Sequence, residues 1–390
     1  MALAPALHLD CIPVDTFAHI SYTPAGWRTD PWKLLEAARR WTSIPSRTIP
    51  RFDVDAFQAQ HGLADFSVSG SATANEIVGV LNHPRFRKGK EADLLDPAGD
   101  ALRKLDRVLR VGAPVEIVLP SFAGRPHNPA AHRRVSPDLG ELYALQLLKN
   151  ISDAVKHVYP PGLLFTLILD GRAYRPFYGY SDDEAMTYGA DLEKLIGLLG
   201  ARGQIRTVDL QDLIAARSSE LEAMDTEARH AVRTLWDSPS FAARSDLVRA
   251  LRQGTNTVAI SSALSELYKS GRWSHVDLAA FFAEAEDITR ERAEHTAFEY
   301  AVLMTKLKAA DVIGSAFWGA LRGTVHPKPS QYSPRIADPA TTISPWHGVG
   351  IARQDGRIIT EYEAVVYQDF EKYRAVFVAG DDAPFYYEEM

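Results

Sequence analysis

The chain has 390 residues, 46% of them hydrophobic, 10% aromatic and 24% charged, with a formal net charge of −7. That length suits one large core or two unequal ones, and the hydrophobic content excludes a disordered polymer. The acidic balance argues against a duplex-binding protein, which needs a basic face for the phosphate backbone.

Cys11 is the single cysteine, so an internal disulfide and a cysteine-based zinc site are both excluded, as suits a reducing compartment. The first residues, Met1 to His8, carry no basic region and read as no secretory signal. No apolar stretch approaches the roughly 18 residues of a membrane span. The expectation is a soluble, cytoplasmic protein with no membrane or nucleic-acid partner.

The first clear element starts at Asp30-Pro31, a cap followed by proline at the first helical position, and runs from Trp32 to Trp41. Thr42 to Asn75 is mixed and rich in Pro, Ser and Gly. Val115 to Leu119 is an apolar run ended by Pro120 and reads as a buried strand. Ser136-Pro137-Asp138 opens a helix whose positions Leu142, Leu145, Leu148, Ile151, Val155 and Val158 keep a helical period, stopped by Pro160-Pro161-Gly162. Leu163 to Leu169 is a second buried strand, followed by the turn pair Asp170-Gly171. Ser181 and Glu184 form a capping box for a helix that closes at Gly200, and Ile205 to Leu210 is a third strand.

This β-α-β-α-β order predicts a right-handed parallel sheet covered by helices. From Gln211 to Lys308 the pattern turns helical. Val349 to Ala352 and Ile358 to Tyr362 flank Gln354-Asp355-Gly356-Arg357, a hairpin signal, and Arg374 to Val378 adds a strand. The predicted fold class is α/β: a Rossmann-like parallel sheet with flanking helices, a helical insertion and a C-terminal β region. The expected divisions are an N-terminal helix and irregular region over 1–75, an α/β core over 76–210, a helical subdomain or insertion over 211–308, and a β region over 309–390 that completes the site.

Ligands of open α/β sheets bind beyond the carboxyl ends of the strands. The loop after the first strand carries Arg125, His127, Asn128, His132, Arg133 and Arg134 and feeds a helix N-terminus, a setting that favours anions. Arg133 and Arg134 read as solvated; for Arg125 and Asn128, nearer the strand end, ligand binding and plain solvation are both open. Asp170-Gly171-Arg172, after the second strand, is either a ligand edge or a self-capped turn. Arg322, His326 and Lys328 cluster within seven residues, and Trp346 adjoins His347 in a turn-like stretch. Each histidine can serve as acid or base, or as an ordinary hydrogen-bonding residue. No third ligand accompanies them at useful spacing, so no metal is expected. Gly-x-Gly-x-x-Gly after a strand, Walker A and Gly-x-Ser-x-Gly motifs are missing from the sequence, and no cofactor is expected. Composition and pattern alone stop at an α/β enzyme for an anionic substrate.

Ordered pieces of the chain resemble one family. They are Leu119-Pro120-Ser121-Phe122, Asn128, Ser136 to Glu141, Tyr159-Pro160-Pro161-Gly162, Asp170-Gly171-Arg172, Asp183 and Tyr188. Leu321-Arg322, Val325-His326-Pro327 and Ser344 to Gly348 follow in the same order. Together they are similar to the isonitrile synthases of the pyoverdine/dityrosine biosynthesis family over roughly Arg85 to Gly350. The chain departs from the family's usual pattern at Ala123-Gly124-Arg125, where proline and lysine are usual, and at Arg322-Gly323-Thr324-Val325. Arginine keeps the lysine's charge but cannot form a Schiff base.

The resemblance implies conversion of an L-amino acid's amine, that of tyrosine or tryptophan, to an isocyanide in secondary metabolism, with ribulose 5-phosphate as carbon donor. An iron- and 2-oxoglutarate-dependent oxygenase acting downstream is the implied pathway partner. It also implies phosphate binding by Arg125 and Arg322, an ammonium partner in Asp170 or Glu141, and acid/base work by His326 and His347. Lys328 gives cationic support; Trp346 either stacks on an aromatic substrate or serves the core. Asn128 and Arg172 complete the expected substrate contacts. Two further readings are a divergent member that condenses an amino acid with another phosphosugar, and a non-catalytic metabolite-binding paralogue.

Overall fold

The computed structural model describes residues 43–64, 67, 73–89, 100–125, 132–178, 181–238, 295–328, 331–341 and 343–390. The expected helix over Trp32–Trp41, Asn128 and residues 239–294 of the helical stretch lie outside the described residues.

Strand β1 (Ser46–Ile49) and helices α1 (Val54–His61), α2 (Ala74–Leu81) and α3 (Asp100–Val111) lead into the parallel sheet. There follow β2 (Val115–Pro120), α4 (Leu139–Val158), β3 (Leu163–Leu169), α5 (Gly171–Tyr178), α6 (Asp182–Leu198) and β4 (Ile205–Asp209). Helices α7 (Leu210–Ala215), α8 (Ser218–Ala223) and α9 (Asp225–Trp236) come next, then helical residues 295–309 and α10 (Val312–Ala316). The chain ends with β5 (Leu321–Arg322), β6 (Val349–Ala352), β7 (Ile358–Glu361), α11 (Glu363–Gln368), β8 (Tyr373–Val378) and β9 (Tyr386–Glu389).

The α/β prediction holds. Strands β2, β3 and β4 pair in parallel in consecutive order, and the runs of β2 and β3 are apolar on both faces because both faces are covered. Asp138 and Ser181 cap α4 and α6, and in each case the glutamate three residues on accepts a reciprocal bond from the cap's backbone N–H. The turn expected at Asp170-Gly171 is instead the start of α5, with the Tyr174 N–H donating to the Asp170 carbonyl.

Strand β5 was not foreseen. Its two residues have no strand pattern of their own, yet Leu321 and Arg322 align in parallel with Ile117 and Val118 of β2. The sheet order is therefore β4-β3-β2-β5. The chain steps outward from β2 to β4 and later returns on the other side of β2. The boundary between β2 and β5 is a topological switch, where open α/β sheets leave a crevice.

A second, five-stranded sheet has the order β1-β8-β9-β6-β7. It contains the predicted hairpin, with β6 and β7 antiparallel. It also recruits β1 from near the start of the described chain, in parallel register with β8. Helix α4 lies between the two sheets, packing on β3 and on both β6 and β7, and is apolar around most of its circumference, as a helix with two covered faces must be. Gly350 on β6 allows this approach: a Cβ there would stand 2.7 Å from the Gly140 backbone nitrogen and 2.9 Å from Leu139 Cβ.

Arg133 and Arg134, read from sequence as solvated, are corrected by the structure. Arg133 Nε donates to Glu363 Oε1 at 2.8 Å, and Arg134 Nη1 to Asp381 Oδ2 at 2.7 Å. They fasten the loop before α4 to the second sheet. No helix among the described residues is long and apolar enough to cross a membrane.

Candidate active site

Beyond the carboxyl ends of β2 and β5 lies a cavity of about 310 Å³, within the usual range for small-molecule sites. Pro120, Ser121 and Ala123 line it from the end of β2, Asp170 from the end of β3, and Arg322 from β5. The segment after β5 adds Gly323 to His326, Lys328 and Gln331, and the 3-10 turn Pro345–His347 adds Trp346 and His347. Six residues singled out from sequence thus share one cavity: Asp170, Arg322, His326, Lys328, Trp346 and His347.

Backbone geometry shapes the wall. Phe122 has a φ of 58°, a left-handed conformation that costs about 1–3 kcal/mol for a bulky side chain. This twist sends the Phe122 ring into the core, with its centroid 4.9 Å from that of Trp346, while Ser121 and Ala123 face the cavity. Trp346 is 3% exposed, so most of its ring serves packing and only an edge remains for a ligand.

Two groups in the cavity carry unmet electrostatic demand. Asp170 is half-buried as a residue, but its Oδ1 is sealed from solvent and has no hydrogen-bond partner. Burial pushes its carboxyl up to about 7, the nearby charge of Asp209 adding to the shift. Arg322 Nη1 is likewise buried without a partner. Burial lowers the Arg322 pKa from its ordinary value, with Asp311 opposing. A desolvated guanidinium facing a cavity is a site for an anion. A carboxyl that titrates near neutrality can accept or donate a proton there.

Other expected site residues lie elsewhere. Arg125 is buried, its Nε and Nη2 donating to Glu141 at 2.6 and 2.5 Å and its Nη2 lying 2.9 Å from Asp138. It holds two carboxylates inside the protein and is not presented to a phosphate. Glu141, expected as an ammonium partner, is equally buried; it completes the α4 capping box and accepts from the Tyr188 hydroxyl at 3.2 Å. Desolvation raises its pKa to about 8 although Arg125 opposes this. Arg172 turns away from the cavity and is shared among Asp182, Asp209 and Asp212 at 3.2–3.4 Å. Among the described residues no group of three or more His, Cys, Asp or Glu is arranged to hold a metal.

Tyr174, Tyr300 and Met304 complete the cavity and were missed in the sequence. The Tyr174 hydroxyl donates to Met304 Sδ at 3.2 Å, and its ring lies 5.4 Å from that of Tyr300. Tyr174 stands four residues after Asp170, so a helix reading of Gly171 would have placed the two together. Nothing local marks Tyr300 or Met304, which arrive from a distant helix.

The family model for the pyoverdine/dityrosine biosynthesis protein matches residues 105–374. An L-tryptophan isonitrile synthase of Fischerella ambigua is 27% identical over 138 residues, covering 34% of this chain and 42% of that protein. An L-tyrosine isonitrile synthase of Pseudomonas aeruginosa is 23% identical over 281 residues, covering 68% and 81%. The chain thus spans less than half of the first relative's length and about four-fifths of the second's. The crystal structure of the PvcA protein from Pseudomonas aeruginosa superposes with a TM-score of 0.60 at 20% identity, covering 81% of this chain and 99% of that one. That likeness establishes a shared fold.

Proposed function

The chain belongs to the pyoverdine/dityrosine biosynthesis family, and from that membership we propose that it is an isonitrile synthase acting on the amine of an L-amino acid. Tyrosine and tryptophan are the favoured substrates, in keeping with the names of its relatives. Ribulose 5-phosphate is the proposed carbon donor. One observation carries the reading: Arg322 and Asp170, each with one side-chain polar atom buried without a hydrogen-bond partner, line the same switch-point cavity as His326, His347 and Lys328.

In this reading Arg322 and Lys328 take the phosphate, and their charge holds the sugar with its ketone toward Asp170. Asp170 in its ionised form takes a proton from the substrate ammonium, which frees the amine to attack the C2 carbonyl. Loss of water from the carbinolamine gives an imine. Proton transfers by His326 and His347 then accompany cleavage of the C1–C2 and C2–C3 bonds, with C1 leaving as formaldehyde and C3 to C5 as hydroxyacetone and inorganic phosphate, so that C2 remains as the isocyanide carbon with no net oxidation. An isocyanide so formed suits an iron- and 2-oxoglutarate-dependent oxygenase as the next enzyme.

Incubation with ribulose 5-phosphate and a panel of amino acids, read by mass spectrometry, tests the proposal. Label at C2 of the sugar should appear in the isocyanide carbon, and no sugar consumption with any amino acid would sink the reading. Arg322→Gln should raise the KM for the sugar about tenfold or more, as loss of a charged hydrogen bond of about 1.5–3 kcal/mol implies, with a far smaller effect on the amino acid.

A further inference from the structure

A second cavity, of about 540 Å³, abuts the first across Ala123, which lines both. The two also meet at the end of β3, where Asp170 borders the first cavity and Gly171 the second. Gly124, Gly171, Ala185 and Gly189 leave its floor nearly bare of side chains, and Leu169, Met186, Tyr188 and Val208 supply apolar surface. Its polar lining is unbalanced: Glu193, Asp209 and Asp212 are set against Arg172 alone. Thr207 Oγ1 donates to Glu193 Oε1 at 2.6 Å, and Glu193 Oε2 accepts no hydrogen bond from a described residue. Among the described residues the Asp212 carboxylate is met by Arg172, at 3.3 Å, and its side chain is 72% exposed. An open, largely apolar pocket with one half-buried spare acceptor, Glu193 Oε2, suits an organic group, aromatic in size, with a hydrogen-bond donor at its far end.

We infer that this second cavity receives the side chain of the amino-acid substrate, with the amine at the Ala123–Asp170 boundary, and that Glu193 selects side chains bearing a terminal donor. The inference rests on the isonitrile-synthase reading and divides its substrates: phosphosugar beyond β2 and β5, amino-acid side chain beyond β3 and β4. The phenol of tyrosine and the indole N–H of tryptophan supply the donor, and phenylalanine does not. A site built to hydrogen-bond a donor rejects the analogue that lacks it far more strongly than a site discriminating by size alone.

Ala185, half-buried on α6 and lining the cavity, allows a test by filling, since leucine is a good helix former there. The measurements are the KM for each substrate and the calorimetric Kd for L-tyrosine in wild type, Ala185→Leu and Glu193→Ala. Ala185→Leu should weaken L-tyrosine about tenfold or more in both KM and Kd and leave the ribulose 5-phosphate KM within about twofold. Wild type should prefer L-tyrosine to L-phenylalanine by about tenfold or more, and Glu193→Ala should shrink that ratio. Unchanged tyrosine affinity in Ala185→Leu, or equal losses for both substrates, overturns the assignment. Should Ala185→Leu not fold, an unchanged tyrosine-to-phenylalanine ratio in Glu193→Ala overturns it. Product formation with either failure sinks the chamber and spares the reaction. Selective loss of tyrosine binding in an enzyme that forms no isocyanide spares the chamber and sinks the reaction.

Discussion

Asp170 joins two opposed conditions, a carboxylate oxygen sealed from water and a position on the wall of the switch-point cavity. Burial raises its pKa from 3.8 to about 7, so between those values the folded protein holds a proton that the unfolded chain releases. Stability drawn from this group is therefore present at low pH and lost as pH rises through about 7. Asp170→Asn removes that loss. The variant should melt higher than wild type at pH 8, by about 1–2 kcal/mol, with a smaller difference at pH 5. It should also lose at least about a hundredfold in kcat. In wild type the rise of kcat/KM with pH through about 7 should reflect this carboxyl, and an unchanged profile in Asp170→Asn would contradict its role as base. The sequence shows an aspartate at a strand's carboxyl end, but not that one of its carboxylate oxygens is buried without a partner, because desolvation depends on what packs over it.

Arg125 illustrates the element scale. Its guanidinium grips Asp138 and Glu141 at the start of α4 and also donates to the Pro345 carbonyl at 3.3 Å. One side chain thereby joins the loop after β2, the N-terminus of α4 and the turn that carries Trp346 and His347. Arg125→Ala would leave two buried carboxyls without their cation, a loss of about 3–5 kcal/mol. Chemical denaturation should show this loss. In any variant that folds, the KM values for phosphosugar and amino acid should change together, and a selective rise for the phosphosugar would restore Arg125 to the phosphate site. The opening of α4 at Ser136-Pro137-Asp138 was legible because its start signals are adjacent in the chain. The bond between its Glu141 and Arg125, 16 residues apart, was not, since a basic loop reads alike whether its charges meet solvent or buried carboxylates.

Across the whole molecule, α4 is the common wall of two sheets, and one large apolar cluster runs from Phe57 to Phe385, with separate clusters on the outer face of the parallel sheet and within the five-stranded one. Strand β9 lies at the centre of the five-stranded sheet, between β8 and β6, and its Tyr387 is fully buried with the hydroxyl donating to Glu363. Deleting Tyr386 to Met390 would split that sheet and expose both neighbours. The truncated chain should lose cooperative unfolding in calorimetry, and a wild-type melting profile would refute the central role of β9. The sequence by itself determined the parallel α/β core, the capped helices, the hairpin and the family, because each is written in residues that lie close together or in fixed order. Only the tertiary structure decided that Leu321-Arg322 is a strand beside β2, that Arg125 and Glu141 serve the interior, and that Asp170 and Arg322 face one cavity. Those outcomes depend on desolvation and pairing between residues far apart in the chain, energies that arise only once the two sheets close on α4.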